Sequence, residues 1–356
     1  MNKKIVFIAE SLYFRDMSAK VCNHFITYIQ KKSSDFDITI FWTDQNIDFV
    51  KASINAISPS LIVFFDINSF SHTTKNFDFV FEYNIPVYLV IDDSYYIHRN
   101  MIPCECVQKT HGIILWYKNN KAFHSLQHTF PEKHILNFSS RFVNTDVFYD
   151  RKLPKKYDIL LYGSRHYEYT YKKEKNNQAI QEYIQKYESF YSCKIDHEDG
   201  IEFYPLRRRM MMFLENYKDK YNIKIIPEAC YDSSVANEDL SELINQSYMT
   251  IACSSIADVL LHKYLEISAS GSVILGNIPS DYRDLFENRV VEIDEFMDDE
   301  EISFKIDYAL ANKHLLSRMS SNLKTEIFKN HGLSSAVDNF SSLAKDIFEM
   351  NSNSLN

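Results

Sequence analysis

Two serines, two carboxylates, a histidine and a lysine crowd one short stretch of this chain. In YMTIACSSIADVLLHKYLEISASGSVILG (248–276), a strand pattern ends at Cys253. Ser254, Ser255, Asp258, His262, Lys263 and Glu266 follow, and the chain breaks at Gly271 before another apolar strand ending at Gly276. The apolar periodicity predicts a helix from about Ile256 to 270. On it Asp258 and Glu266, a little over two turns apart, would share roughly one face. Free N–H groups at the helix start favour a phosphate beside Ser254 and Ser255. Strand, serine turn and helix together suit a nucleoside diphosphate: N–H groups for the phosphates, Glu266 accepting from ribose hydroxyls, Asp258 beside a sugar. A purely structural alternative stands beside this reading. Ser255 and Asp258 also spell a capping box, and Glu266 can belong to a solvated helix face. Against the solvated face, Tyr264, Leu265 and Ile267 read as buried neighbours, and an unpaired buried carboxylate is costly unless a partner or ligand satisfies it.

Other candidates lie in the first half of the chain. VIDDSYYIHRN sets Asp92, Asp93 and His98 at the carboxyl end of a predicted strand, and AESLYFRDMS sets Asp16 after another. A carboxylate or imidazole there can serve as base for an acceptor hydroxyl, although N-capping would select the same residue types. YPLRRRM (204–210) starts a helix with three arginines, which calls for an anionic neighbour or for solvent. His124 and His128 have metal-like spacing without a third ligand nearby, so a structural or exposed role is expected. The acidic DFD at 35–37 precedes a strand, away from the binding edge, and no metal is expected.

The elements that must position these groups follow from the alternation of apolar runs with amphipathic segments. KIVFIAE, FDITIFW, SLIVFFD, FDFVFEY (77–83), IPVYLVIDD, GIILWY and HILNF read as buried strands of one sheet. YDILLYGSR, NIKIIP, YMTIAC, GSVILGN and RVVEID read as strands of another. Continuous Val/Ile/Phe runs separated by helices are the pattern of parallel strands covered on both faces. The expectation is therefore an α/β chain of two doubly wound, Rossmann-like parallel-sheet domains facing across a cleft. We place them at 1–150 and 151–356, the second carrying a helical tail from roughly 299 to 350. Ligands of such sheets sit beyond the carboxyl ends of the strands.

Composition narrows the function further. A net charge of −9 with no long Lys/Arg run gives no reason to expect nucleic acid or an anionic membrane as partner. Cys22, Cys104, Cys106, Cys193, Cys230 and Cys253 form no CxxC pair, so a disulfide framework is not expected. MNKKIVFIAES reads as a first buried strand better than as a signal peptide, and no apolar run approaches ~18 residues, which predicts a cytoplasmic location. P-loop, dinucleotide GxGxxG, GxSxG and HExxH motifs are all missing from the sequence.

DVLLHKYLEISASGSVILGN (258–277) resembles the donor-binding segment of GT-B glycosyltransferases, in which an acid, seven residues, a Glu, a small-residue turn and a strand recur. FVNTDVFYDRKLPKKYDILLYGSR (142–165) is similar to their interdomain connection and first C-terminal strand with its Gly-containing turn. The likeness is to the group-1 and spore-maturation-protein-like branches, including those carried by large DNA viruses. It covers 141 to about 295, and rests on architecture alone before that. The resemblance implies that Glu266 holds the nucleotide ribose and Asp258 contacts the donor sugar. It further implies that Arg165, after Gly163, and Lys172 or Lys173 face the diphosphate, where a planar guanidinium suits phosphate oxygens. Two departures stand out: Asp258 occupies a position usually held by Glu, and the glycine-rich loop after the first strand is missing. The expected activity is metal-independent transfer of a sugar from a UDP- or GDP-linked donor to a hydroxyl acceptor, with the nucleotide sugar as co-substrate and no other cofactor. The alternatives are a nucleotide-sugar epimerase on the same fold and a catalytically silent binding protein.

Overall fold

The computed structural model describes residues 2–11, 20–66, 74–91, 105–138, 141–163, 168–170, 178–193, 200–226 and 237–353. The chain forms two compact units, Met1–Ser140 with Leu333–Asn356, and Arg141–Gly332.

In the first unit the elements run β1 (Lys3–Ala9), α1 (Lys20–Lys32), β2 (Phe36–Trp42), α2 (Ile47–Ile57), β3 (Leu61–Asp66), β4 (Val87–Ile91), α3 (Glu105–Lys109), β5 (Gly112–Leu115), α4 (Asn120–Thr129) and β6 (His134–Asn137). All six strands pair in parallel, in the order β2-β1-β3-β4-β5-β6. Residues 5–9 of β1 and all of β4 and β5 are buried, as strands with helices on both faces must be. Of residues 77–83, expected as a strand, 77–82 belong instead to a 3-10 helix over Thr74–Glu82. Phe77 and Val80, three apart, fall on one side of that helix and both enter the core, so a tighter period wins over extended pairing.

The second unit continues with β7 (Tyr157–Leu161), β8 (Glu168–Thr170), α5 (Gln178–Tyr191), β9 (Gly200–Glu202), α6 (Pro205–Asn216), β10 (Ile223–Ile225), α7 (Asn237–Asn245), β11 (Ser247–Ile251), α8 (His262–Ala269), β12 (Val273–Gly276), α9 (Arg283–Phe286), β13 (Val291–Glu292), α10 (Asp299–Ala311) and α11 (Lys313–Asn330). Its parallel sheet has the order β10-β7-β11-β12-β13, the same winding as the first five strands of the first unit. Both sheets reverse direction beside their first strand, between β1 and β3 and between β7 and β11, and such switch points are where ligands enter. β8 and β9 form a separate antiparallel pair that the sequence pattern did not announce.

Period-two alternation sorts the side chains of β7 onto two faces. Ile159 and Leu161 pack with α6 and α10, whereas Leu160 and Tyr162 join the core around α8 and α11. Tyr162 is thereby directed to the helix that carries Lys263 and Glu266.

The last helix, α12 (Leu333–Asn353), corrects the expected domain division. It belongs to the first unit, not to a tail of the second. Phe340 is 3% exposed and packs edge-on to Phe7 at 5.2 Å and to Phe36 at 6.5 Å. Lys345 pairs with Asp35 at 2.6 Å, and Asn351 donates to the Tyr88 hydroxyl at 3.1 Å. The Asp35 of the acidic DFD thus has a structural partner. Phe340→Ala is expected to cost about 3–5 kcal/mol in urea unfolding, because the ring lies between two core phenylalanines; a cost below about 1 kcal/mol would contradict this packing.

Candidate functional site at the switch point of the second sheet

β7 ends at Leu161 and the chain continues through Tyr162 to Gly163, whose φ is +98°. A side chain is excluded there twice over. The backbone is one that L residues rarely adopt, and a Cβ would strike Lys263 Nζ and come within 3.5 Å of Arg207 Nη1. Gly163 therefore gives two cations access to the end of the strand.

Tyr162 organises the groups around it. Its carbonyl accepts a hydrogen bond from Lys263 Nζ, its ring lies beneath that ammonium at 4.1 Å, and its hydroxyl donates to Glu266 Oε2 at 3.1 Å. Lys263 and Glu266, three apart on α8, share a face, so one tyrosine holds both. Each keeps a partly open side to solvent, yet is closely surrounded by protein atoms. Burial pushes the Glu266 carboxyl up, with Tyr162, Lys263 and Arg141 pulling the other way. Burial also pushes the Lys263 ammonium well down, and the Arg207 charge adds to it. The Tyr162 phenol, buried beside Glu266, is raised and remains a donor.

Arg207 is the inward member of the arginine triplet. It is buried, with its guanidinium 4.1 Å over the Tyr204 ring, while Arg208 meets Glu202 at 3.5 Å and Arg209 meets Asp299. Solvent thus accounts for Arg208 but not for Arg207, which faces Gly163.

The segment expected to be the start of a long helix is a loop. α8 begins at His262, and Asp258 sits four residues ahead of it in a left-handed conformation, φ +55°. The shared helix face of Asp258 and Glu266 and the helix start expected at Ser254 and Ser255 are both corrected by this. Asp258 instead accepts from Ser280 N, 3.2 Å from each carboxylate oxygen, and from Ser280 Oγ, fixing the turn after β12. Ser254 is engaged by Asn277: its N–H donates to Asn277 Oδ1 at 2.9 Å and its Oγ accepts from Asn277 Nδ2 at 2.7 Å. Tyr264 OH donates to the Asn277 carbonyl at 2.8 Å, tying the loop to α8. Ser255 Oγ accepts from Ala257 N at 3.3 Å, a local turn rather than a helix cap. The helix starts at His262, where Leu261 is the N-cap and makes no side-chain hydrogen bond to the first turn. The His262 ring rests edge-on against Phe142 at 6.2 Å. At the other end of α8, Gly271 with φ +79° follows the C-cap Ser270 and lets the chain turn into β12.

Asp16, Asp92, Asp93, His98, Arg165, Lys172 and Lys173 lie outside the described residues. His124 and His128 are exposed on α4, and among the described residues no group of three or more His, Cys, Asp or Glu is disposed to hold a metal ion. No described helix is long and apolar enough to cross a membrane.

Residues 205–342 match the family model described as glycosyl transferase-like. Curated proteins give no sequence match. Among solved structures, the chain is similar to sucrose-phosphate synthase from Thermosynechococcus elongatus, with TM-score 0.60 at 9% identity, covering 98% of this chain and 100% of that one. It is also similar to a glycosyltransferase from Rickettsia africae (0.57, 14%, 98% and 99%) and to Anabaena HepE in complex with UDP and glucose (0.55, 9%, 97% and 100%). The chain has the GT-B fold. At these identities the likeness speaks to the fold, whereas the family match falls mainly on the second unit and includes Lys263, Glu266 and Arg207.

Gly163→Ala is expected to lose at least about 1 kcal/mol of stability through the positive φ alone, and more through the collision with Lys263. In a double-mutant cycle with Lys263→Ala the two losses should fall short of additive by about 0.5 kcal/mol or more, since the second change removes the colliding atom. Additive losses would mean that Lys263 does not sit against Gly163.

Proposed function

We propose that the protein is a glycosyltransferase that moves a sugar from a nucleoside diphosphate to an acceptor hydroxyl without a metal ion. The observation that carries this reading is the joint burial of Glu266 and Lys263 on Tyr162 at the switch point of the second sheet. A carboxylate acceptor beside a cationic rim formed by Lys263 and Arg207 matches the two halves of a nucleotide: hydroxyls to accept from and a diphosphate to neutralise. In this reading Glu266 takes the ribose hydroxyls, and the uncapped N–H groups at the start of α8 receive the diphosphate with Lys263 and Arg207. Asp258, on the loop just before, lies toward the sugar. These fixed donors stabilise negative charge developing on the leaving diphosphate, the task a divalent ion performs elsewhere.

Two further lines support the reading. The family match covers the segment from α6 to α12, and HepE, with the same fold, was solved with UDP and glucose. The sequence resemblance to the group-1 and spore-maturation-protein-like branches adds Arg165 and Lys172 to the diphosphate side. Asp93, His98 and Asp16 are the proposed candidates for the base that activates the acceptor.

Titration calorimetry with UDP and GDP is expected to give binding of at least one of them at neutral pH. Glu266→Ala should weaken it tenfold or more, about 1.4 kcal/mol. Because the Glu266 carboxyl is raised, affinity should fall as the pH drops through a midpoint above 4.5, and Glu266→Gln should remove that acid limb. No binding by either nucleotide, or equal binding by Glu266→Ala, rules the assignment out. NMR of the donor incubated alone separates transfer from epimerisation, and an acceptor panel without sugar consumption would identify a silent binding protein.

A further inference from the structure

At the opposite edge of the second sheet, where strands β7, β11 and β12 begin, lies a cavity of about 390 Å³. Lys152, Lys155, Lys313 and Lys324 line it with a single carboxylate, Asp150. Four ammonium groups against one carboxylate leave three positive charges uncompensated, in a chain whose net charge is −9. The carboxylate is shared: Asp150 Oδ2 lies 2.7 Å from Lys152 Nζ and 2.6 Å from Lys324 Nζ. Lys152 N also donates to Asp150 Oδ1 at 3.0 Å, from a backbone held at φ +57°. Lys155 Nζ donates to two strand-edge carbonyls, Ser247 O at 2.9 Å and Gly271 O at 2.8 Å, and has no ion-pair partner among the described residues. One of its three protons is left over. Lys313, at the start of α11, rests 4.4 Å over the Tyr248 ring and likewise has no carboxylate partner among the described residues.

Structural needs account for only part of this. Lys155 ties the starts of two segments together and Lys324 anchors Asp150, but neither need places Lys313 and Lys152 beside the same cavity, where a bound anion would complement all four. The remaining lining suits a small organic molecule: Ser317, Ser320 and Ser321 offer hydroxyls along α11, and Leu153, Val273 and Leu316 provide apolar wall. The volume lies in the range of metabolite pockets and exceeds what a bare phosphate fills. A concave site of this size on an acidic protein does not fit a nucleic-acid strand or a membrane surface, which need an extended basic face.

We propose that this cavity binds a small phosphorylated molecule of sugar-phosphate size, its phosphoryl oxygens held by Lys155, Lys313 and Lys324. The site is separate from the one at the carboxyl ends of the same strands and does not depend on what that one binds. Lys155 adds a signature. Burial, with Lys152 and Lys324 acting in the same sense and Asp150 against them, holds its ammonium down at about 8, so an arriving dianion will draw a proton onto it.

The test is calorimetry on the full chain with glucose 6-phosphate, inorganic phosphate and unphosphorylated glucose, in two buffers of different ionisation enthalpy at pH 8.5. Glucose 6-phosphate is expected to bind with net proton uptake, inorganic phosphate more weakly, and glucose not at all. Lys313→Gln combined with Lys324→Gln should weaken glucose 6-phosphate at least tenfold while leaving any UDP affinity within error, and Lys313→Gln alone, which leaves the Lys324–Asp150 pair in place, should weaken it without lowering the melting temperature. UDP affinity lost in the Glu266 variant but kept in the lysine variant tells the two sites apart. Failure of glucose 6-phosphate to bind, binding indifferent to the double variant, or displacement of it by UDP would overturn the proposal. So would lysine-dependent binding of anionic vesicles or oligonucleotides without binding of the sugar phosphate.

Discussion

A carboxylate and an ammonium held together where burial opposes both charges must be satisfied from the protein itself, and in this chain a single tyrosine does it. Tyr162 donates from its hydroxyl to Glu266 and accepts at its carbonyl from Lys263. The surrounding structure follows from that requirement. β7 must lead into Tyr162 on the α8 face, Gly163 must carry a positive φ so that Lys263 and Arg207 can approach, and α8 must begin late enough for positions 263 and 266 to fall above the strand end. Neither charge is free to leave without leaving the other exposed to a poorly solvating interior, which is why such a pair is costly to break and well suited to wait for a charged ligand.

The two edges of the second sheet divide the labour of its charges. At the carboxyl ends, one carboxylate, the half-buried Lys263 and the buried Arg207 surround the switch point, with Asn277 and Asp258 fastening the loops that frame it. At the amino ends, lysines gather around a single aspartate whose own charge opposes burial but is held by Lys152 and Lys324, its carboxyl pulled down to about 2. Parallel strands make this separation natural, because every crossover returns the chain to the same starting edge and leaves the other for loops.

Much of the architecture was legible in the sequence because buried parallel strands announce themselves as unbroken apolar runs; β1, β3, β4, β7, β11 and β12 fall where those runs predict. The interior setting of Glu266 was legible too, since Tyr264, Leu265 and Ile267 surround it in sequence and are all buried. The helix start was not. Val259, Leu260 and Leu261 continue the apolar pattern of α8 without adopting its backbone, and Val259 and Leu260 enter the core from the loop, so composition could not distinguish loop from first turn. Asp258 mimicked a capping residue because its contact with Ser280 depends on a segment more than twenty positions away. Tyr162, Asn277 and the inward turn of Arg207 depend on the same kind of distant contact. For Tyr162 a signal existed: period-two alternation along YDILLY sets it on the face of Leu160. The allegiance of α12 had no such signal, since an amphipathic helix at the end of a chain can cover either sheet.

The central claim is that Glu266 is an interior carboxylate waiting for a nucleotide. Its most direct test is a carbon-13 NMR titration of the Glu266 carboxyl, assigned by Glu266→Gln, with and without saturating UDP. The account predicts a pKa above 4.5 in the free protein and a carboxyl resonance that moves when UDP is added. A carboxyl that titrates at the ordinary value for glutamate, with a resonance unchanged by UDP, would contradict it.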